Sequence, residues 1–240
     1  MEKHERRLSR FAGACLVLFG LSIILFVAGL AAGGSSSLSS DADLRATAAR
    51  SSVLWLLIIV VSLGEAALVP AALVLCRLLA PAARIRAGVA AVAVIVGTAI
   101  DLTGGAAMEM GKIQVATAYV ATSDQVARAA YRAASQFADG GQFATSHLWV
   151  FFGGVGLVLF GSAMSRSVFP RLLSYSGVAI GALAIFGVVG GAVVAPLDPV
   201  GYIALLLAVA WWLTMGFVLI RTSRPTMGRA DSTAPSAVRT

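Results

Sequence analysis

Long apolar stretches, separated by short polar segments, dominate the pattern along the chain. Each is long enough to cross a hydrocarbon core about 30 Å thick as an α-helix rising about 1.5 Å per residue. The stretches cover residues 11–33, 53–79, 87–108, 148–164, 172–195 and 202–220. This pattern predicts an all-α, polytopic membrane bundle of about six transmembrane helices.

The polar ends and connections divide the chain into three predicted parts. Residues 1–10 form a cytoplasmic N-terminus, residues 11–222 a six-span membrane domain, and residues 223–240 a disordered cytoplasmic tail. The first apolar stretch is longer than the roughly 7–15 residues typical of a signal peptide, so we expect it to be a retained span.

Composition supports the membrane assignment and excludes several function classes. Apolar residues make up 59% of the chain and charged residues only 12%, and the mean hydropathy is +0.90. A soluble chain of this length needs more charge to cover its surface. The net charge of +7 comes from basic residues at the ends of spans, with no basic stripe carrying interleaved aromatics. Nucleic-acid binding is therefore not expected.

The distribution of Lys and Arg predicts the orientation. Basic residues near the ends of cytoplasmic segments set topology under the positive-inside rule. Thirteen Lys and Arg residues collect on the side that holds both chain ends, and five on the other side. Both termini should therefore be cytoplasmic, with the chain in the cytoplasmic (inner) membrane as a multi-pass protein.

The longest connection lies outside, between spans three and four. Within residues 109–145, the stretch QVARAAYRAASQFA places Val126, Ala133 and Phe137 near one helical face and Arg128 and Arg132 on another. It predicts an amphipathic outer helix that lies on the surface or caps the bundle. A solvated helical hairpin is the alternative.

Ionisable residues within apolar spans are costly, and each is therefore a candidate functional residue. Glu65 lies near the middle of span two, five residues before Pro70, which removes a backbone donor and frees a carbonyl nearby. A carboxyl group in this setting could bind a proton, a cation or a polar head group. The alternative is a neutral Glu65 that hydrogen-bonds a neighbouring helix.

Asp101 is the second candidate proton donor or ion-binding acid, about two turns from the outer end of span three. Glu109 follows it, beyond Gly104 and Gly105, and His147 begins span four at the outer boundary. Together with Glu65, these residues could line one cavity that opens outward. The alternative for Asp101 and His147 is solvation near the interface.

The remaining features predict packing more than chemistry. Trp211 and Trp212 could line an aromatic pocket, although filling the bundle is the simpler interpretation. Pairs of small residues four apart let helices approach closely and could support a homo-oligomer. These pairs are Gly29/Gly33, Gly177/Gly181 and Gly187/Gly191. The chain carries no P-loop, HExxH, GxSxG or CxxC motif, so no cofactor or metal is expected.

One turn carries a family resemblance. The segment FGSAMSRSVFPRLLSYSGVAIGALAIFG, between spans four and five, resembles the six-helix bacterial family known as domain of unknown function 4386. The matching positions are Ser165, Arg166, Val168, Pro170, Arg171, Leu172 and Ser174, with Phe169 additional before the proline. The resemblance implies an acid in span two and another in span three, which Glu65 and Asp101 match, and it implies no activity.

Three functions are compatible with this sequence. The first is a small permease or accessory subunit with an acidic cavity in the membrane. The second is an intramembrane enzyme that acts on an apolar small molecule such as an isoprenoid. There Glu65 or Asp101 would donate a proton, and Trp211, Trp212 and Phe186 would stabilise a carbocation. The third is a structural subunit in which the acids only hold helices together.

Overall fold

The computed structural model describes residues 3–31, 40–167, 169–194 and 197–222. The predicted disordered tail, residues 223–240, lies outside the described residues. The helices, in chain order, are α1 (Lys3–Ala31), α2 (Asp41–Ala49), α3 (Ser51–Ala66), α4 (Leu68–Ile100), a π-helix (Asp101–Gly105), α5 (Ala106–Ala121), α6 (Gln125–Met164), α7 (Arg171–Val193) and α8 (Asp198–Thr222). Residues 3–10, predicted as a separate N-terminal segment, are the first turns of α1.

Among the described residues, five helical segments are long and apolar enough to cross a membrane. One of them, Ser51–Ala121, is 71 residues long and contains α3, α4, the π-helix and α5. Large apolar side chains cover the outer faces of the bundle, including Leu56, Leu73 and Leu172. A soluble protein would not expose so much apolar surface. The chain is therefore a helical membrane protein.

The 71-residue segment folds back near Ala83, inside α4. Ala83 has φ −160° and ψ 64°, and Pro81 stands two residues before it. Proline cannot donate the backbone hydrogen bond that continues a helix, so the regular pattern ends here. The predicted separation between spans two and three falls at this point.

The predicted outer amphipathic helix is not a separate element. It is the first half of α6, a helix of 40 residues and therefore about 60 Å long. No proline interrupts residues 125–164, so nothing in the chain stops the helix before Leu148. The predicted apolar face is exposed: Val126 is 78% exposed and Phe137 is 74% exposed. The opposite face packs on α5.

Close helix contacts hold the bundle together. Helix α6 packs between α4 and α7, and α8 lies against both α1 and α7. A Cβ atom on Gly181 would lie 2.8 Å from the backbone nitrogen of Val158, so α6 and α7 meet backbone to backbone. Gly187 meets the backbone of Gly201 on α8 in the same way, whereas Gly177 lies against the ring of Trp211. Gly33 lies outside the described residues.

Candidate functional site

The two acids expected inside the membrane meet each other. Glu65 stands in the last turn of α3 and is 5% exposed. Its carboxyl group lies within hydrogen-bond reach of the carboxyl group of Asp101, the first residue of the π-helix. Two carboxyl groups can share a hydrogen bond only when one of them carries a proton, because an ionised carboxylate has no donor. The pair is therefore a place where one proton can be held and released.

The π-helix directs Asp101 toward the cavity. The backbone N–H of Asp101 donates to the carbonyls of Gly97 and Thr98, and the N–H of Ala106 donates to the carbonyl of Asp101. Single-turn π-helices inside α-helices are frequent at functional sites because the extra residue re-aims side chains. Here Asp101, Gly105 and Glu109 all line the same cavity. The glycines at 104 and 105 do not end the helix.

A charged network lies beside the acid pair and joins α5 to α6. Lys112 is 4% exposed, and its Nζ atom lies 2.6 Å from Oδ1 of Asp139 and 3.8 Å from Oε1 of Glu109. Lys112 also donates to the side-chain oxygen of Gln142, and the Gln142 amide donates to Glu109. A buried lysine needs such compensation, since an unpaired charge in this environment is strongly unfavourable.

These groups line one cavity of about 470 Å³, a size typical of small-molecule sites. Apolar side chains from α1, α3, α6, α7 and α8 form part of its wall. Its polar residues are Ser62, Glu65, Asp101, Glu109, Lys112, Asp139, Gln142, Ser146, His147 and Tyr202. The carboxyl groups outnumber the single lysine four to one. The cavity therefore remains acidic even when the Glu65–Asp101 pair holds one proton.

His147 stands at the wall of this cavity. Its Nδ1 atom lies 2.8 Å from the carbonyl oxygen of Phe143, and the two rings are 3.8 Å apart between centroids. Both residues line the cavity, together with Trp149. The aromatic rings give the acidic cavity an apolar side that can contact the body of an organic ligand.

The structure thus brings Glu65, Asp101, Glu109 and His147 to one cavity. Trp211 and Trp212 do not line it. Trp211 donates from Nε1 to the carbonyl of Leu173 at 2.8 Å, and Trp212 packs in the core against Phe160. Phe186 is 56% exposed on the outside of α7. Within the described ranges, no group of three or more His, Cys, Asp or Glu residues is placed to hold a metal ion.

Sequence reasoning missed three residues of the site. Lys112, Asp139 and Gln142 fall in the segment interpreted as an outer connection, where charged residues need no explanation. The spacing of Glu109 and Lys112, three residues apart on one helical face, was the available signal. It indicates a pair on α5 but says nothing of the partners on α6.

The assignment of the chain to a family rests on a match over nearly the whole helical region. The family model described as domain of unknown function (DUF4386) matches residues 11–222. The chain belongs to this family. The DUF4386 match includes the acid pair, the charged network and the turn that carries the resemblance. No curated protein and no solved structure is detectably similar to the chain, and the family description names no activity.

Proposed function

We propose that this DUF4386 protein is a small permease that exchanges a proton for a cationic solute at the Glu65–Asp101 pair. The observation that carries the proposal is the placement of these two carboxyl groups, within reach of each other, at the wall of one large cavity. An acid pair inside a membrane bundle is costly, and such residues commonly mark ion or proton pathways.

The charge of the cavity supports a cation as the solute. A cation that approaches the pair favours the ionised form of both carboxyl groups and so releases the shared proton. Loss of the solute restores the repulsion between two carboxylates, which favours uptake of a proton. Binding of proton and solute are therefore mutually exclusive, as an exchanger requires.

The proposal includes the finer topology. We infer that α3 with the first half of α4 is one crossing, and that the second half of α4 with the π-helix and α5 is the next. This gives six crossings, with both termini in the cytoplasm. The cavity would then open on the outer side, since α5 and the first half of α6 extend beyond the membrane there.

An intramembrane enzyme is supported less well. It would need an apolar chamber with an acid at its end, whereas the cavity wall carries Lys112 and four carboxyl groups. The aromatic residues expected to stabilise a carbocation, Trp211 and Trp212, do not line this cavity. The cavity chemistry suits a polar, charged solute.

Transport into proteoliposomes tests the proposal. Vesicles with a trapped pH indicator receive tetramethylammonium outside, an ion that does not cross lipid unaided. Exchange predicts that the lumen becomes alkaline as protons leave, and that Glu65→Gln and Asp101→Asn reduce the signal to that of empty liposomes. Asp124→Asn is the matched control, because Asp124 caps α6 outside the cavity and Asn caps equally well. A full signal in both cavity variants would favour a purely structural role for Glu65 and Asp101.

A further inference from the structure

Gly105 lies directly against the carboxyl group of Asp101. It is the last residue of the π-helix, it is buried, and it lines the acidic cavity. A Cβ atom at this position would collide with Oδ1 of Asp101 and would lie 3.0 Å from its Cγ atom. The carboxyl group therefore occupies the space that the side chain of any other residue at position 105 would fill.

The direction of side chains on a helix explains this contact. Each Cα–Cβ bond tilts toward the N-terminus of its helix, so a side chain points toward the residue about one turn before it. Position 105 is four residues after Asp101, and residues at this spacing are neighbours on one face. Glycine has no Cβ atom, so the backbone at position 105 leaves this face open to the carboxyl group.

The neighbouring helix leaves a methyl group at position 105 no room on its other side. A Cβ atom there would lie 3.4 Å from the hydroxyl oxygen of Thr145 on α6. That hydroxyl donates to the carbonyl of Gln142 at 2.9 Å, which fixes its position. The methyl group would therefore be enclosed between α6 and Asp101. The carboxyl group stands at the end of a side chain that can rotate, so it is the part that would move.

Movement of this carboxyl group would separate the two acids. Both oxygen atoms of Asp101 belong to one planar group on a short side chain, so displacement of Oδ1 turns the whole group. The reach between Asp101 and Glu65 therefore depends on the open space at Gly105. Two carboxyl groups share a proton only while they remain within hydrogen-bond distance.

We infer that Gly105 is a positioning residue for proton exchange, because its missing side chain keeps open the space from which the Asp101 carboxyl group reaches Glu65. This inference rests on the proposed function, since the pair that Gly105 positions is the exchange site. Gly104 has a different neighbour. Its Cβ atom would lie 2.6 Å from Cγ2 of Thr145, and no atom of Asp101 lies within 4 Å of that position.

Infrared spectroscopy of the purified protein tests the positioning role. A protonated carboxyl group that is hydrogen-bonded to a second carboxyl group absorbs at a lower frequency than one without this bond. Gly105→Ala should therefore shift the protonated-carboxyl band of the pair to higher frequency. The same variant should weaken the binding of tetramethylammonium, measured by calorimetric titration, about tenfold, because the cation no longer contacts both carboxyl groups at once.

Gly104→Ala is the matched control. It makes the same substitution at the preceding residue of the π-helix, but its methyl group meets a carbon atom of α6 instead of the carboxyl group. It should keep the band and the affinity, although it should lower the unfolding temperature at least as much as Gly105→Ala does. Equal shifts of the band in both variants would show a general effect on the π-helix and would overturn the positioning role.

A double variant keeps the test decisive if Gly105→Ala alone is too unstable to purify. Asp101→Ala removes the carboxyl group with which the new methyl group collides. Adding Gly105→Ala to Asp101→Ala should therefore cost no stability, or should raise the unfolding temperature, because alanine favours helix over glycine. An equal loss of stability with and without the Asp101 carboxyl group would overturn the contact on which the inference depends.

The positioning role and the exchanger fail in different ways. An unshifted band in Gly105→Ala, while wild-type protein exchanges protons in proteoliposomes, would overturn the positioning role alone. A shifted band together with full exchange by Gly105→Ala would show that exchange does not need the two acids within reach, and would overturn both. Absence of exchange by the wild-type protein would overturn the exchanger, whether or not the band shifts, and the role of Gly105 in exchange with it.

Discussion

The carboxyl groups of Glu65 and Asp101 lie within hydrogen-bond reach of each other, although a straight helix would hold these residues about 54 Å apart. Ala83, where the backbone leaves the helical region, lies eighteen residues after the first acid and eighteen before the second. The fold-back at Ala83 therefore places the two acids at the same level of an antiparallel hairpin. The position of this bend makes the proton site possible.

The fold-back predicts the sidedness of two loops. In a variant without Cys15 and Cys76, a cysteine at Ser123, in the turn between α5 and α6, should react with an impermeant maleimide in intact cells. A cysteine at Ile85, which is 81% exposed beside the bend, should react only after the membrane is opened. Labelling of both sites from the same side would show that the chain does not cross the membrane between them.

The ion pair of Lys112 should contribute substantially to stability. Lys112→Met leaves Asp139 and Glu109 partly buried without their cation, and we expect the free energy of unfolding to fall by about 2–4 kcal/mol. Thermal unfolding in detergent measures this. The double variant Lys112→Met with Asp139→Asn should recover part of the loss because the unpaired charge is removed. No recovery would mean that the lysine acts through packing rather than through its charge.

Packing between α6 and α7 should tolerate no extra methyl group at Gly161. A Cβ atom there would lie 2.5 Å from the Ser174 carbonyl oxygen and 2.8 Å from the Val178 nitrogen. Because both are backbone atoms, Gly161→Ala should destabilise the bundle by about 1–3 kcal/mol. Gly153→Ala is the control and should be neutral or stabilising, since its methyl group meets open space and alanine favours helix. Equal unfolding temperatures would contradict this contact.

The contact between α2 and α6 should depend on pH. Asp41 lies 2.7 Å from Nε of Arg132, and a hydrogen bond from Tyr119, followed by the charge of Arg132, holds the pKa of Asp41 below its usual value. A lowered pKa means that the contact stabilises the fold above the unfolded value of about 3.9 and is lost as pH falls through the folded pKa. Carboxyl NMR titration should show this pKa rise toward its usual value in Tyr119→Phe. An unchanged titration would exclude the tyrosine as the cause.

Much of the fold follows from the lengths of the apolar stretches. A glutamate or an aspartate within a stretch of about 20 apolar residues also marks a candidate functional site, because a charged side chain is costly in lipid. Glu65 and Asp101 could be found in this way. Pro81 marks the bend near Ala83, but the contact between the two acids could not be predicted, since it also depends on the π-helix, which has no clear signal in the sequence.

The first half of α6 shows where periodicity alone is insufficient. The spacing correctly groups Val126 with Phe137 on one face and Arg128 with Arg132 on another. It does not indicate which face meets the rest of the protein. The arginines pack over the ring of Tyr119 on α5, with centroid distances of 5.5 and 5.9 Å. Cation–π contacts of this kind turn the polar face inward and leave the apolar face exposed.

Infrared difference spectroscopy tests the shared proton most directly, because a protonated carboxyl group and a carboxylate absorb at separate frequencies. Adding tetramethylammonium to the purified protein should remove one protonated-carboxyl band and produce carboxylate bands. Glu65→Gln and Asp101→Asn should abolish that change, and Asp124→Asn should retain it. A cation that binds without loss of the protonated band, or an unchanged difference spectrum in both cavity variants, would contradict proton exchange at this pair.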